Sequence, residues 1–153
     1  MPRFQSDRDR AFIQGVNSEL IDTVIETPVV IYKQSLSETK TNIYGEGTRK
    51  AFLPGVNVTC LIERQETAPA SYGFGQDTTQ SSKFKFQRQT LANANVYPEP
   101  GDFIFFNTGY YEIDNANEEQ LVGGQPGPGA ISIVCETHLT RKAILNIEEN
   151  PIL

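Results

Sequence analysis

His138 is the single histidine in the chain, so any imidazole chemistry must pass through it. It falls in a β-type run, residues 130–141, on the face opposite Ile131, Ile133, Cys135 and Leu139. A lone outward imidazole with no partner base reads as a surface or interface residue rather than a general base. Cys60 and Cys135 are the possible thiol nucleophiles. Both sit in apolar strand-like runs, where a thiol packs as a small hydrophobe and stays inert. No serine or cysteine stands in a nucleophile-elbow motif. Glu112, Asp114, Glu118 and Glu119 form the one acidic cluster, but they lack the glycine-centred spacing of a calcium loop and read as a solvated rim. The segment Gly123-Gly124-Gln125-Pro126-Gly127-Pro128-Gly129 imitates a phosphate cradle. No helix follows it, however, and its prolines remove the N–H donors such a cradle needs. Lys83, Lys85 and Arg88 interleave with Phe84 and Phe86 as on a nucleic-acid stacking platform. Strand alternation sends the aromatics to the face opposite the cations, which describes an ordinary amphipathic strand. The residues therefore predict no catalytic residue, no metal site and no cofactor.

Several elements must hold these side chains. Gly101-Asp102-Phe103-Ile104-Phe105-Phe106-Asn107-Thr108-Gly109-Tyr110-Tyr111-Glu112-Ile113-Asp114 reads as a β-hairpin, with Gly109 expected to supply the positive φ of its turn. Four consecutive apolar residues, Phe103 to Phe106, predict a strand covered on both faces. Upstream, Ser6, Asp7 and Asp9 suit a helix N-terminus. Phe12, Val16, Leu20 and Val24, joined by Ile13 and Ile21, make one apolar stripe over residues 7–25, and Pro28 ends the helix. That stripe must lie on a sheet or on a neighbouring subunit. Strands are expected over residues 29–34, at 56–63 with Val56, Val58, Cys60 and Ile62 inward, at 83–88, and over 130–141. Residues 115–120 are a candidate helical turn. Residues 35–54 and 67–82 read as long polar loops, a length that points to function. Asn57-Val58-Thr59 matches a glycosylation acceptor by chance, since it lies inside a strand.

The chain of 153 residues predicts one domain, residues 1–153, with an N-terminal arm (1–9) and a C-terminal tail (142–153). The expected fold is mainly β: a small antiparallel β-barrel or sandwich with one N-terminal α-helix and long loops. A formal net charge of −6 argues against a broad basic face for nucleic acid. No apolar run approaches the ~20 residues of a membrane span. The first residues show no signal-peptide pattern, which predicts a chain made and acting in a reducing cytoplasm. What remains is surface suited to partners. Candidate contacts are Phe4, Arg8 and Phe12 on the arm and helix, and Ile43, Tyr44 and Arg49 in the first loop. Tyr72 and Phe74 are candidates in the second loop, and Ile144 and Ile147 in the tail.

Gly101-Asp102-Phe103-Ile104-Phe105-Phe106, then Tyr110-Tyr111-Glu112-Ile113, then Gln120-Leu121-Val122-Gly123-Gly124-Gln125 resembles the neck proteins of contractile-tailed bacteriophages, the head-closure or head-tail connector subunits. Tyr72-Gly73-Phe74-Gly75-Gln76-Asp77 and the helix leading to Val29 and Tyr32 fall in the matching order. The resemblance spans residues 10 to 140. It implies a virion structural protein, not an enzyme: a homo-oligomeric ring of six copies between a portal-side adaptor ring and a tail-terminator ring. Such a ring closes the head after packaging, lets DNA pass without specific binding, and sits in the neck after assembly in the host cytoplasm. Two other readings fit the residues. One is a tail-terminator, tube or baseplate component; the other is a monomeric β-barrel ligand-binding module with a closed apolar pocket.

Overall fold

The computed structural model describes residues 7–41, 43–44, 47–64, 68–72, 75–121 and 130–140. α1 (Asp7–Ser18) opens the chain with Asp7 and Asp9 in its first turn, where the helix dipole favours them. It widens into a π-helical segment, Glu19–Ile25. Glu26 stops that segment in the left-handed region at φ 43°, its N–H donating to the Ile21 carbonyl at 3.0 Å. The helix expected over 7–25 is present, wound wider at its C-terminal part.

β1 (Thr27–Tyr32) leads into a hairpin of β2 (Gln34–Thr41) and β3 (Gly47–Phe52). β4 (Val56–Arg64) leads into a second hairpin, β5 (Ala68–Tyr72) and β6 (Gly75–Thr79). Both stretches were expected as irregular loops. Each forms a two-stranded sheet of its own, so its strands carry no apolar period by which they could be read. β7 (Ser81–Gln87), the short helix α2 (Arg88–Asn93), β8 (Phe103–Phe106), β9 (Gly109–Leu121) and β10 (Ala130–Thr140) complete the order. β9 runs straight through residues 115–120, expected as a helical turn. Asn115, Asn117 and Glu119 there lie opposite Glu136, Val134 and Ser132, and ladder pairing outweighs their weak local preference.

β1, β4, β7, β10, β9 and β8 follow one another around a closed barrel, every neighbouring pair antiparallel. β1 on β8 makes the closure, in the register Val30↔Phe105, Ile31↔Ile104, Tyr32↔Phe103. The mainly β fold with one N-terminal helix is thus borne out, and of the two forms weighed it is the barrel.

Alternation decides what fills it. Val29, Ile31, Val58, Cys60, Phe84, Phe86, Ile104, Ile113, Ile133 and Cys135 are buried together inside. Phe84 stands edge-on to Tyr111 and Phe106, with ring centres 5.4 and 6.2 Å apart. Leu91 of α2 and Val96 join the same core.

β1 and β8 are covered on the outside as well. Val30, Tyr32, Phe103 and Tyr110 form a second buried cluster, and Phe52 of β3 stands edge-on to Phe103 at 5.1 Å. This two-sided burial explains the unbroken apolar runs from Val29 to Tyr32 and from Phe103 to Phe106. Asp102 latches the arrangement. Its buried carboxylate accepts the backbone N–H groups of Gln34 and Glu99, each at 2.9 Å. Burial pushes its pKa up, while those two hydrogen bonds pull the other way.

The β8–β9 turn differs from expectation. Phe106 pairs with Gly109, so the loop is Asn107-Thr108, with both residues at positive φ, 45° and 67°. That is the pattern of a type I′ turn. Gly109 serves space rather than torsion: a Cβ there would lie 2.9 Å from Leu139 Cδ1. A β-branched residue in the left-handed region is strained, so Thr108→Gly is expected to stabilise the protein. Relief of roughly 1–2 kcal/mol, less roughly 0.5–1 kcal/mol of added unfolded-chain entropy, leaves a gain on the order of 0.5 kcal/mol. A urea midpoint that falls on this substitution would contradict the turn assignment.

Candidate interaction surface

Among the described residues, the thiols lie in the core and the histidine on the outer wall. Cys60 and Cys135 are free thiols, fully buried in the barrel, and burial pushes the pKa of each up to about 12. They stay protonated and shielded.

His138 points outward from β10, its Nδ1 2.8 Å from Asp114 Oδ1 and its Nε2 3.9 Å from Glu112. A bulge makes this contact. The β9–β10 register slips between Glu136 and Thr137, leaving consecutive Asp114 and Asn115 both exposed. Glu112 also lies 3.1 Å from Lys50 Nζ of β3, and Glu118 lies 2.9 Å from Arg88. Of the acidic rim, Glu112 and Glu118 are thus paired with cations and Asp114 with the imidazole. Among the described residues, no group of three or more His, Cys, Asp or Glu is placed to hold a metal.

Lys83 and Lys85 stand on the outer wall, as alternation required, against the inward Phe84 and Phe86. Lys83 meets Glu136 at 2.9 Å and Lys85 meets Glu63 at 3.0 Å, both across neighbouring strands. Each such exposed pair contributes about 0–1 kcal/mol. Their larger effect is to occupy the cations that a nucleic-acid platform would need.

Of the residues expected at partner contacts, Arg8 and Phe12 are exposed on α1. Ile43 and Tyr44, 94% and 84% exposed, lie at the tip between β2 and β3. Arg49 is on β3 opposite Lys40, and Tyr72 ends β5 opposite Gly75. Phe4, Phe74, Ile144 and Ile147 lie outside the described residues, as does the segment 123–129. Residues 7–9, counted in the N-terminal arm, are the first turn of α1.

The helix docks on the barrel through polar bonds. Gln87 Nε2 donates to the Gln14 carbonyl at 2.9 Å. Asp22 accepts three hydroxyls: Thr59 of β4 at 2.5 Å, Thr90 of α2 at 2.9 Å and Ser18 at 3.0 Å. This orientation turns Ile21, one member of the predicted stripe, and Ile25 toward the barrel, and the stripe's other residues away from it. Phe12, Val16, Leu20 and Val24 are 71%, 48%, 48% and 70% exposed. The chain's own sheet does not take the stripe.

Beside the stripe runs a groove of about 130 Å³, lined by Leu20, Ile21, Ile25, Leu61 and Ile131 with Lys85 and Gln87. Leu61 was not among the expected contact residues, although strand alternation already set it on the outward face with Asn57, Thr59 and Glu63. Its signal was parity: an apolar residue on the outward phase of β4, 37% exposed. A row of exposed apolar residues continuous with an apolar groove marks an interaction surface.

Asp22→Ala removes the shared acceptor of Thr59 and Thr90, at an expected cost of about 1–3 kcal/mol. Amide exchange should quicken over residues 7–26 while the barrel strands keep their protection. Unchanged protection of the helix would show that other contacts hold it. Cys60 and Cys135 should resist a thiol reagent in the native protein and react together on unfolding; fast native labelling of either would contradict their burial.

No protein-family model and no curated protein matches the chain. Among solved structures, the chain is similar to a chain from the virion of a native gene transfer agent particle, at 11% identity and a TM-score of 0.52. The match covers 72% of this chain and 90% of that one, so nearly the whole of that subunit follows the same fold.

Proposed function

We propose that this chain is a structural protein of a phage-like virion, a ring subunit of the neck that closes the head after DNA packaging and docks the tail. The observation that carries the reading is that its barrel follows nearly a whole subunit of a gene transfer agent virion. The resemblance of residues 10 to 140 to head-tail connector subunits narrows it to the neck. The ring would hold six copies between a portal-side adaptor ring and a tail-terminator ring. We read its role as non-catalytic; in support, among the described residues both thiols are buried and the histidine is held by Asp114. The net charge of −6 suits a conduit, because like charge on a channel wall keeps phosphates from sticking as DNA passes.

A ligand-binding barrel is the weaker reading. A binding pocket needs space, and this interior is filled by Phe84, Phe86, Ile31, Ile104 and Ile133, each 0% exposed.

Antibody labelling of intact particles tests the proposal. Label is expected at the head–tail junction. Label along the tube or at the baseplate would move the subunit to another ring, and label absent from purified particles would overturn the virion assignment.

A further inference from the structure

β4, β8 and β10 end at one rim of the barrel, where β7 and β9 begin. A pocket of about 370 Å³ opens at that rim, lined by Arg64, Gln80, Asn107, Thr108, Leu139 and Thr140 with the start of β9. Among the described residues no Asp or Glu lines it, in a chain with 19 acids against 13 lysines and arginines. The mouth of a small barrel is a common place for a ligand.

Arg64 stands on the inward phase of β4, continuing Val58, Cys60 and Ile62 at the point where the strand leaves the core. An apolar residue there would extend the core; an arginine puts a cation in the barrel mouth. Its guanidinium lies 6.0 Å from the centre of the Phe106 ring. Such a contact steadies the group without neutralising it. Other cations around the barrel are matched: Lys33, Lys50, Lys83, Lys85 and Arg88 each have a carboxylate at 3.1 Å or less. Among the described residues Arg64 has none. Thr140 supplies a second, independent sign. Its Oγ1 is buried without a partner, one of three such side-chain atoms among the described residues. A buried hydroxyl left unmet costs free energy that a bound acceptor would return.

We infer that this mouth is a binding site for a carboxylate group, with Arg64 as its counter-ion and the Thr140 hydroxyl as a further donor. One guanidinium balances one negative charge, and among the described residues no second cation lines the pocket to balance a phosphate monoester. The pocket admits more than the bare group, and Leu139, 40% exposed, offers an apolar wall to the stem that carries it. The site lies outside the packed interior and is independent of the virion reading. Two sources supply this chemistry: an acidic side chain of a second copy, or a separate carboxylate-bearing molecule.

NMR titration of the full chain tests it with acetyl-glutamate-amide, one carboxylate on a peptide stem, and acetyl-glutamine-amide, its neutral isostere. Saturable shifts of the Arg64, Thr108 and Thr140 signals are expected with the first and none with the second. Arg64→Gln and Thr140→Val should each weaken binding by roughly tenfold or more. Arg64 is exposed, so circular dichroism of its variant should match the parent. Thr140→Val removes no hydrogen bond from the chain, so its thermal midpoint should equal or exceed the parent's. A merely structural threonine would lower it.

Sedimentation velocity over a concentration series separates the sources. Association abolished by both the glutamate probe and Arg64→Gln assigns the site to an acid of a second copy. A monomer that takes the probe assigns it to a separate molecule. Equal shifts with the two probes, or binding undiminished in either variant, would overturn the inference. So would a protein that neither takes the glutamate probe nor loses association in Arg64→Gln. Tighter saturation by dimethyl phosphate would overturn it in favour of a nucleic-acid backbone.

Discussion

The pairing of β1 with β8 is the constraint on which the rest of the molecule depends. Without it, both strands would be open edges presenting unpaired N–H and C=O groups. With it, Ile31 and Ile104 meet inside while Val30, Tyr32 and Phe103 are pressed outward against the β2–β3 hairpin. Two continuous apolar strands placed side by side could not face water on their outer side. The hairpin is thus fixed to this wall by the same residues that close the barrel, through Phe52 on Phe103 and through Asp102 on Gln34.

That fixation has a consequence on the far side. The outer face of β4, β7 and β10 is dressed in cross-strand ion pairs, Lys83 with Glu136 and Lys85 with Glu63, and it offers the N-terminal helix mainly polar anchors. Asp22 and Gln14 satisfy them. A helix held by its polar side necessarily shows its apolar side to solvent. A monomer gains nothing from that, since each of these partly exposed apolar side chains forgoes a share of the about 1.5–3 kcal/mol that full burial contributes. An assembly that covers the stripe recovers it.

Charge pairing also bears on what the protein can touch. Lys50, Lys83, Lys85 and Arg88 each have a carboxylate within about 3 Å, so the outer wall is neutral where it is most basic. Affinity for nucleic acid needs cations that phosphates can claim. With an excess of acids and these outer-wall cations engaged, the described outer wall offers few cations that a phosphate could claim.

Much of the fold was legible from residue types because it follows from local periods. The alternation of Val56, Val58, Cys60 and Ile62, the inward Phe84 and Phe86, the unbroken Phe103 to Phe106 run and the thiols in apolar strands each state their burial within a few residues. The hairpins at 34–52 and 68–79 were not legible, because strands that pair only with each other need no apolar face. The I′ turn was misread because Gly109 suggested torsional freedom, whereas Asn107 and Thr108 carry the positive φ and the space beside Gly109 is taken by Leu139, distant in sequence. The sequence by itself determined that a helix with one apolar stripe would precede a β-structure with a packed interior holding both thiols. Only the tertiary structure decided which way that stripe faces, since that depends on Asp22 finding Thr59 and Thr90, two hydroxyls brought together by the pairing of β4 with β7 and invisible to any local period.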